Sequence, residues 1–133
     1  MTETDPAKQP KKSKPSHVGT PAIFKLELAC QTINKVYGGQ CYLVGSCLDR
    51  PDWRDIDVRM ILDDEAFEKL FPDAPLHSAA WEFDARWLFL VARTADWLKE
   101  QSGLPVDFQF QPRTFANERH PYKRNAIGMR VVK

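Results

Sequence analysis

The stretch Asp55–Leu62, DIDVRMIL, constrains the fold more than any other part of this 133-residue chain. Apolar residues take every second position, and Asp55, Asp57 and Arg59 lie between them. Because side chains alternate between the two faces of a strand, this pattern predicts a strand with one buried face and one acidic face. Asp55 and Asp57 then share a face, with Cα atoms about 6–7 Å apart.

Apolar periodicity and turn residues divide the rest of the chain into helices and strands. The predicted order is a helix, a strand, a loop, the strand described above, two helices and a third strand. The ranges of the other predicted elements are 21–37, 40–44, a short helix opened by Asp63 and Asp64, 83–101 and 106–110. Thr20 is the expected N-cap of the first helix, and Gly103 is the expected end of the long helix. Helices interleaved with strands predict an α/β (α+β) domain with a small mixed sheet flanked by helices.

The length suits one domain, and the composition shifts at both ends. Residues 1–20 combine Lys and Pro with almost no large apolar group, which predicts a disordered basic tail. Residues 21–112 form the predicted folded domain. Residues 113–133 are basic and lack a clear period, so they either pack on or near the active site, where they neutralise phosphates, or stay solvated.

Bulk charge and cysteine content limit the partners and the compartment. With 19 basic and 18 acidic residues, the net charge of +1 gives no whole-molecule case for nucleic-acid binding, and only the two basic ends remain as candidate contacts. Three cysteines without a CxxC pair or an apolar leader favour the reducing cytoplasm over a secreted disulfide framework. No apolar run is long enough to span a bilayer, so no membrane contact is expected.

A third acid, Asp107, lies in the alternating stretch VDFQF, again away from the apolar side. If this strand neighbours the first acidic strand, the carboxylates of Asp55, Asp57 and Asp107 converge. Clustered carboxylates repel one another unless a cation neutralises them, and hard oxygen ligands suit Mg²⁺. Two such ions about 3.5–4 Å apart would clamp the attacking and leaving oxygens of a phosphoryl or nucleotidyl transfer.

The pair Gly45-Ser46 follows the predicted strand 40–44. Glycine lets a ligand approach the backbone closely, and a serine hydroxyl with exposed backbone amides can hold phosphate oxygens. Alone, such a pair is more often a plain turn, and a D-x-D pair is more often an exposed strand face. Together and in this order, they fit a nucleoside triphosphate whose phosphates lie on the Gly-Ser turn and whose metal ions lie on the acids.

The run LVGSCLDRPDWRDIDVRMIL resembles the signature of the DNA polymerase β-like nucleotidyltransferase superfamily. That signature is a hydrophobic residue, Gly, then Gly or Ser, a spacer, and two Asp residues that alternate with hydrophobic residues. Its matches are Val44, Gly45, Ser46, Asp55, Ile56, Asp57 and Val58, and Asp107 in PVDFQF matches the third acid. The resemblance covers about residues 22–111. In size the chain is similar to the minimal nucleotidyltransferases, which often pair with a helical toxin partner.

The resemblance implies that a nucleoside monophosphate is transferred to a hydroxyl and pyrophosphate is released. It implies that Asp55 and Asp57 hold two Mg²⁺ ions, and that Asp107 holds the catalytic ion and helps to activate the hydroxyl. It also implies that Gly45 and Ser46 bind the triphosphate.

Arg50 and Arg54 complete the predicted nucleotide site. Many minimal members of the superfamily place a basic residue directly after Gly-Ser, where this chain has Cys47 and Leu48. The two arginines lie slightly later, in the spacer before the acids, and are the candidates to serve instead.

The sequence leaves two main classes of function open, and a weaker third one, a nucleic-acid binder that uses the two basic ends. The three acids favour a Mg²⁺-dependent nucleotidyltransferase that acts on a nucleoside triphosphate and an unknown acceptor, a protein or a small molecule. The small size leaves no room for a substrate domain, which keeps open a non-catalytic, antitoxin-like binding or regulatory module that acts through a protein partner or a homo-oligomer. Trp53, beside the acids, either stacks on a base or packs its own loop.

Overall fold

The computed structural model describes residues 16–74, 76 and 79–129. Most of the predicted N-terminal tail, His77 and residues 130–133 lie outside these ranges. The helices are α1 (Ala22–Tyr37), α2 (Asp64–Leu70), α3 (Ala85–Ser102) and α4 (Arg113–Arg119), and the strands are β1 (Gln40–Val44), β2 (Ile56–Leu62), β3 (Val106–Pro112) and β4 (Asn125–Ile127). Short 3-10 turns lie at Gly45–Leu48 and Ala79–Phe83.

The four strands form one sheet in the order β3-β2-β1-β4. β1 pairs antiparallel with β2 and with β4, whereas β2 and β3 are parallel. α3 supplies the crossover that a parallel pair requires. The prediction of a small mixed sheet flanked by helices is therefore confirmed.

One face of the sheet is the core face, and α1 and α3 pack against it. It carries the apolar positions of the alternating strands, among them Val58, Met60, Phe108 and Phe110, all nearly inaccessible to solvent. The two helices are also joined at Tyr37, whose hydroxyl lies 2.9 Å from the hydroxyl of Thr94. Because the strand period is 2, burial of this face leaves the acidic positions on the opposite face.

The short helices α2 and α4 are joined at their N-termini by contacts between side chains. Arg113 pairs with Asp63 at 2.7 Å, and the hydroxyl of Thr114 donates to Asp64 at 2.6 Å. Asp63 and Asp64 therefore hold the two helices together. Phe115 of α4 packs edge-on against Trp81, with ring centroids 4.4 Å apart.

Several boundaries differ from the sequence prediction. Neither α4 nor β4 is predicted, because both are short and depend on contacts with distant segments. Pro21, not Thr20, is the N-cap of α1, and no side chain caps this helix.

The described chain begins inside the predicted tail. His17 N–H donates to the Cys47 carbonyl at 2.6 Å, and Trp53 Nε1–H donates to the His17 carbonyl at 3.0 Å. Val18 is buried. Residues 16–18 therefore lie against the loop before β2, and Trp53 packs this loop. No described helix is long and apolar enough to cross a membrane.

Candidate functional site

Asp57 and Asp107 lie at the same level of the sheet, on neighbouring strands. Each is the second residue of its strand, and the parallel register pairs them directly. Neighbouring strands are about 4.8 Å apart, so both side chains leave the same face side by side. Asp55 lies one residue before β2, where Ile56 N–H donates to the Pro105 carbonyl at 2.9 Å. The three predicted acids thus lie at one end of the sheet.

The electrostatics show that these carboxylates influence one another. Burial raises the pKa of Asp57 above its ordinary value, Arg59 opposes this shift, and the negative charges of Asp107 and Asp55 add to it. The ionised form of Asp57 therefore has an energetic cost in the folded protein. A bound cation would remove that cost.

Gly45 is fitted against this carboxylate. It has a positive φ of 79°, and a Cβ built on it would overlap the Asp57 carboxylate. The contact follows from the register, because Val44 pairs with Asp57 across the β1–β2 ladder. Both the conformation and the close approach therefore require glycine here.

A polar cleft of about 500 Å³ opens beside these groups, and we name it the acid cleft. Its lining residues are Ser46, Arg50, Asp52, Arg54, Asp55 and Asp57. The fold thus brings the predicted serine and both predicted arginines to the predicted acid pair. Gly45 itself lines a neighbouring cleft.

The donor set fits Mg²⁺ in chemistry, since it consists of carboxylate oxygens near a serine hydroxyl. It is not a preformed cage: within the described ranges, no group of three or more His, Cys, Asp or Glu side chains is placed to hold a metal ion. Asp107 instead pairs with Arg59, with Nη1 and Oδ1 3.6 Å apart. Arg59 also donates to the Asp107 carbonyl at 2.9 Å.

A second cleft of about 610 Å³ lies on the same open face of the sheet, and we name it the sheet-face cleft. The strands contribute Val44, Arg59, Ile61, Gln109 and Gln111 to its lining. The segment after α4 contributes His120, Tyr122, Lys123 and Arg124. Part of the basic C-terminal segment therefore borders the open face that also carries Asp57.

Sequence reasoning missed the strand residues of this second cleft. The signal was present, because Asp57, Arg59 and Ile61 share one face by their spacing of two, as do Asp107, Gln109 and Gln111. Burial of the apolar face of β2 and β3 places this set on the opposite face, where Asp107 is exposed but Ile61 and Gln111 are buried.

Cys47, next to the Gly-Ser pair, is not suited to be a nucleophile. Burial raises its pKa to about 11, and the negative charge of Asp57 adds to this shift. The thiol therefore stays protonated at neutral pH, and the reactive form of cysteine is the thiolate.

Comparisons with protein-family models, with curated proteins and with solved structures found no match to this chain.

Proposed function

We propose that this protein is a Mg²⁺-dependent nucleotidyltransferase that transfers a nucleoside monophosphate from a nucleoside triphosphate to a hydroxyl of an acceptor. The observation that carries the proposal is the direct pairing of Asp57 with Asp107 on parallel strands. Gly45 packs against the same carboxylate, so the Gly-Ser turn and the acids form one unit.

The acid cleft supports the placement of the phosphates. Ser46, Arg50 and Arg54 line it together with Asp55 and Asp57. Arg50 is exposed and is joined to Asp52 by a contact of 3.3 Å, an ion pair weak enough to exchange for phosphate oxygens. The two arginines therefore supply the positive charge that the Gly-Ser turn lacks.

In the proposed reaction the three acids have different roles. Mg²⁺, held by Asp55, Asp57 and Asp107, would stabilise negative charge on the phosphate oxygens. The acceptor oxygen attacks the α-phosphorus, the bond from that phosphorus to the bridging oxygen of the β-phosphate breaks, and pyrophosphate leaves. Asp107, half-exposed at the start of β3, is positioned to accept the hydroxyl proton.

Calorimetric titration of each nucleoside triphosphate with Mg²⁺ tests this proposal. We expect metal-dependent binding by the wild type, and its loss in the double variant Asp55→Asn/Asp57→Asn. Asp96→Asn is the matched control, since Asp96 is an exposed acid on α3 paired with Arg93 at 2.7 Å. Absence of binding by well-folded wild-type protein would contradict the proposal.

A second candidate is a non-catalytic module that acts through a protein partner. The observation that favours it is the exposure of large apolar side chains on the two long helices, with Phe24 and Leu28 on α1 and Leu88 and Phe89 on α3. Exposed apolar surface of this kind is typical of protein contact sites when it is contiguous. Failure of every triphosphate to bind would favour this candidate.

A further inference from the structure

One buried polar side chain makes no hydrogen bond to any other residue that the structure describes. Four polar residues there are buried, and three of them are satisfied. The hydroxyls of Ser16, Thr94 and Ser102 bond to Val18 N–H, the Tyr37 hydroxyl and the Leu98 carbonyl, respectively. The fourth is Gln111, which is 7% exposed and whose side chain bonds to no described residue.

Gln111 lines the sheet-face cleft. A buried amide without a partner destabilises the folded protein, so a ligand that supplies a partner recovers this energy. The amide offers two N–H donors and one carbonyl acceptor, and it can rotate to present them in either order. Such a group is complementary to a planar ligand edge that carries a donor beside an acceptor.

The walls of the cleft favour a neutral, flat ligand. Its basic groups already have partners: Arg59 pairs with Asp107, Lys123 with Asp49 at 3.8 Å, and Arg124 lies over the Tyr42 ring at 5.0 Å. A neutral base leaves these contacts in place, whereas a second set of phosphates would have to replace them. Ile61 supplies an apolar floor, and Tyr122 supplies an aromatic ring that is 72% exposed at the rim.

The position of the amide relative to the acids fits the length of a nucleoside. Gln111 lies four residues beyond Asp107 on β3, which places their Cα atoms about 13 Å apart. Both side chains point to the same face. A nucleotide with its α-phosphate at the acids can therefore place its base over Gln111.

We propose that the sheet-face cleft binds the nucleobase of the triphosphate and that the Gln111 amide selects the base by hydrogen bonds to its edge. This inference rests on the proposed function. Tyr122 covers the base at the rim of the cleft, because an aromatic ring stacks on any nucleobase. Selection then depends on Gln111.

Calorimetry with Mg²⁺, the four nucleoside triphosphates and inorganic tripolyphosphate tests this assignment. We expect the wild type to bind one triphosphate about tenfold or more tightly than the others, since a bidentate amide contact typically discriminates to this extent. Gln111→Leu should abolish this preference and leave tripolyphosphate affinity unchanged. Gln111→Glu, which removes the N–H donors at similar size, should also abolish or alter it.

Loss of folding should not account for a changed base preference in Gln111→Leu. Replacement of an unsatisfied buried amide by an apolar group of similar size is neutral or stabilising, so Gln111→Leu should unfold at the wild-type temperature or above it. Gln101→Leu, at an exposed position near the end of α3, is the matched control and should keep the preference.

The two proposals fail in different ways. If tripolyphosphate and the nucleotides bind but the wild type shows no base preference, or Gln111→Leu retains it, the nucleobase assignment is overturned and the proposed function stands. If neither tripolyphosphate nor any nucleotide binds to the wild type, both are overturned.

Discussion

At the scale of single residues, Gly45 gives the Gly-Ser pair a physical meaning that its sequence alone does not have. A plain turn needs only a positive φ, and Gly103 at the end of α3 shows that case, with a φ of 72° and open space around it. Gly45 has a similar φ, but it also lies against the Asp57 carboxylate. Substitution at Gly103 therefore tests the effect of backbone strain alone, whereas substitution at Gly45 tests strain together with displacement of Asp57.

We predict that Gly45→Ala and Gly103→Ala lose similar stability from strain but differ in ligand binding. A left-handed conformation costs a non-glycine residue about 1–2 kcal/mol, and Gly45→Ala adds the displacement of Asp57. Binding of Mg²⁺ and nucleotide should fall about tenfold or more in Gly45→Ala, because the acid is misplaced, and stay unchanged in Gly103→Ala. Denaturant titration and calorimetry measure the two effects, and equal affinities would argue against the contact.

We predict that Asp57→Asn stabilises the metal-free protein near neutral pH. The folded-state pKa of Asp57 is raised above its ordinary value of 3.8, mainly by burial. The stability it contributes is thus complete below that value and is lost as the pH rises through the raised pKa. The gap in melting temperature between variant and wild type should grow from about pH 3 to about pH 7.

The control for this effect is Asp96→Asn, which removes an exposed carboxylate that is paired with Arg93. It should gain no stability over the same range. Thermal unfolding with a chelator present measures both variants. A gap for Asp57→Asn that is constant with pH would show that burial of its charge has no cost.

At the scale of elements, the structure depends on short segments attached by side chains from elsewhere. β4 has only three residues, and it pairs with β1 at Cys41, Tyr42 and Leu43. Asn34 of α1 joins the two strands, because its amide donates to the Ile127 carbonyl at 3.2 Å and its oxygen accepts from Cys41 N–H at 2.8 Å. A helix side chain thus fixes a strand pair.

We predict that Asn34→Ala destabilises the protein by about 2–3 kcal/mol, because Cys41 N–H and the Gly128 carbonyl lose their partly buried partner, whereas the Ile127 carbonyl keeps Gln40. Amide hydrogen exchange should accelerate at β4 more than at β2. Asn117→Ala is the control, since its side chain is exposed and accepts a hydrogen bond from Arg124 at 2.6 Å. Equal losses in the two variants would rule out a special role for Asn34.

At the scale of the whole molecule, the C-terminal segment belongs to the same sheet as the acids. β4 completes the β1 edge, and Phe115 of α4 packs on Trp81. Ile127 is almost fully buried. Residues beyond 112 therefore contribute both to the core and to the lining of the sheet-face cleft.

We predict that truncation after Pro112 abolishes cooperative unfolding. Total stabilities of small proteins are about 5–15 kcal/mol, and this deletion removes a strand, a helix and the buried Ile127 together. Deletion of residues 130–133, which keeps every described residue, should leave the transition intact. Thermal melts followed by circular dichroism compare the two. A sharp transition in the shorter chain would show that residues up to 112 fold alone.

The sequence by itself determined the strands that carry the acids and the helices that cover them. Alternation of polar and apolar residues from Asp55 to Met60 sets one apolar face and one charged face, since a slip by one residue would bury charge. Gly38 and Gly103 end the long helices because both adopt left-handed conformations there. These features are local, so propensity and period are sufficient to predict them.

Only the tertiary structure decided how the acids, clefts and terminal segment come together. The parallel register that pairs Asp57 with Asp107 depends on a crossover of more than forty residues between the strands, which no local pattern specifies. β4 and α4 form because Asn34, Asp63 and Trp81 meet them from distant parts of the chain. The unsatisfied amide of Gln111 likewise exists only after folding, because burial and lack of a partner are properties of the packed molecule.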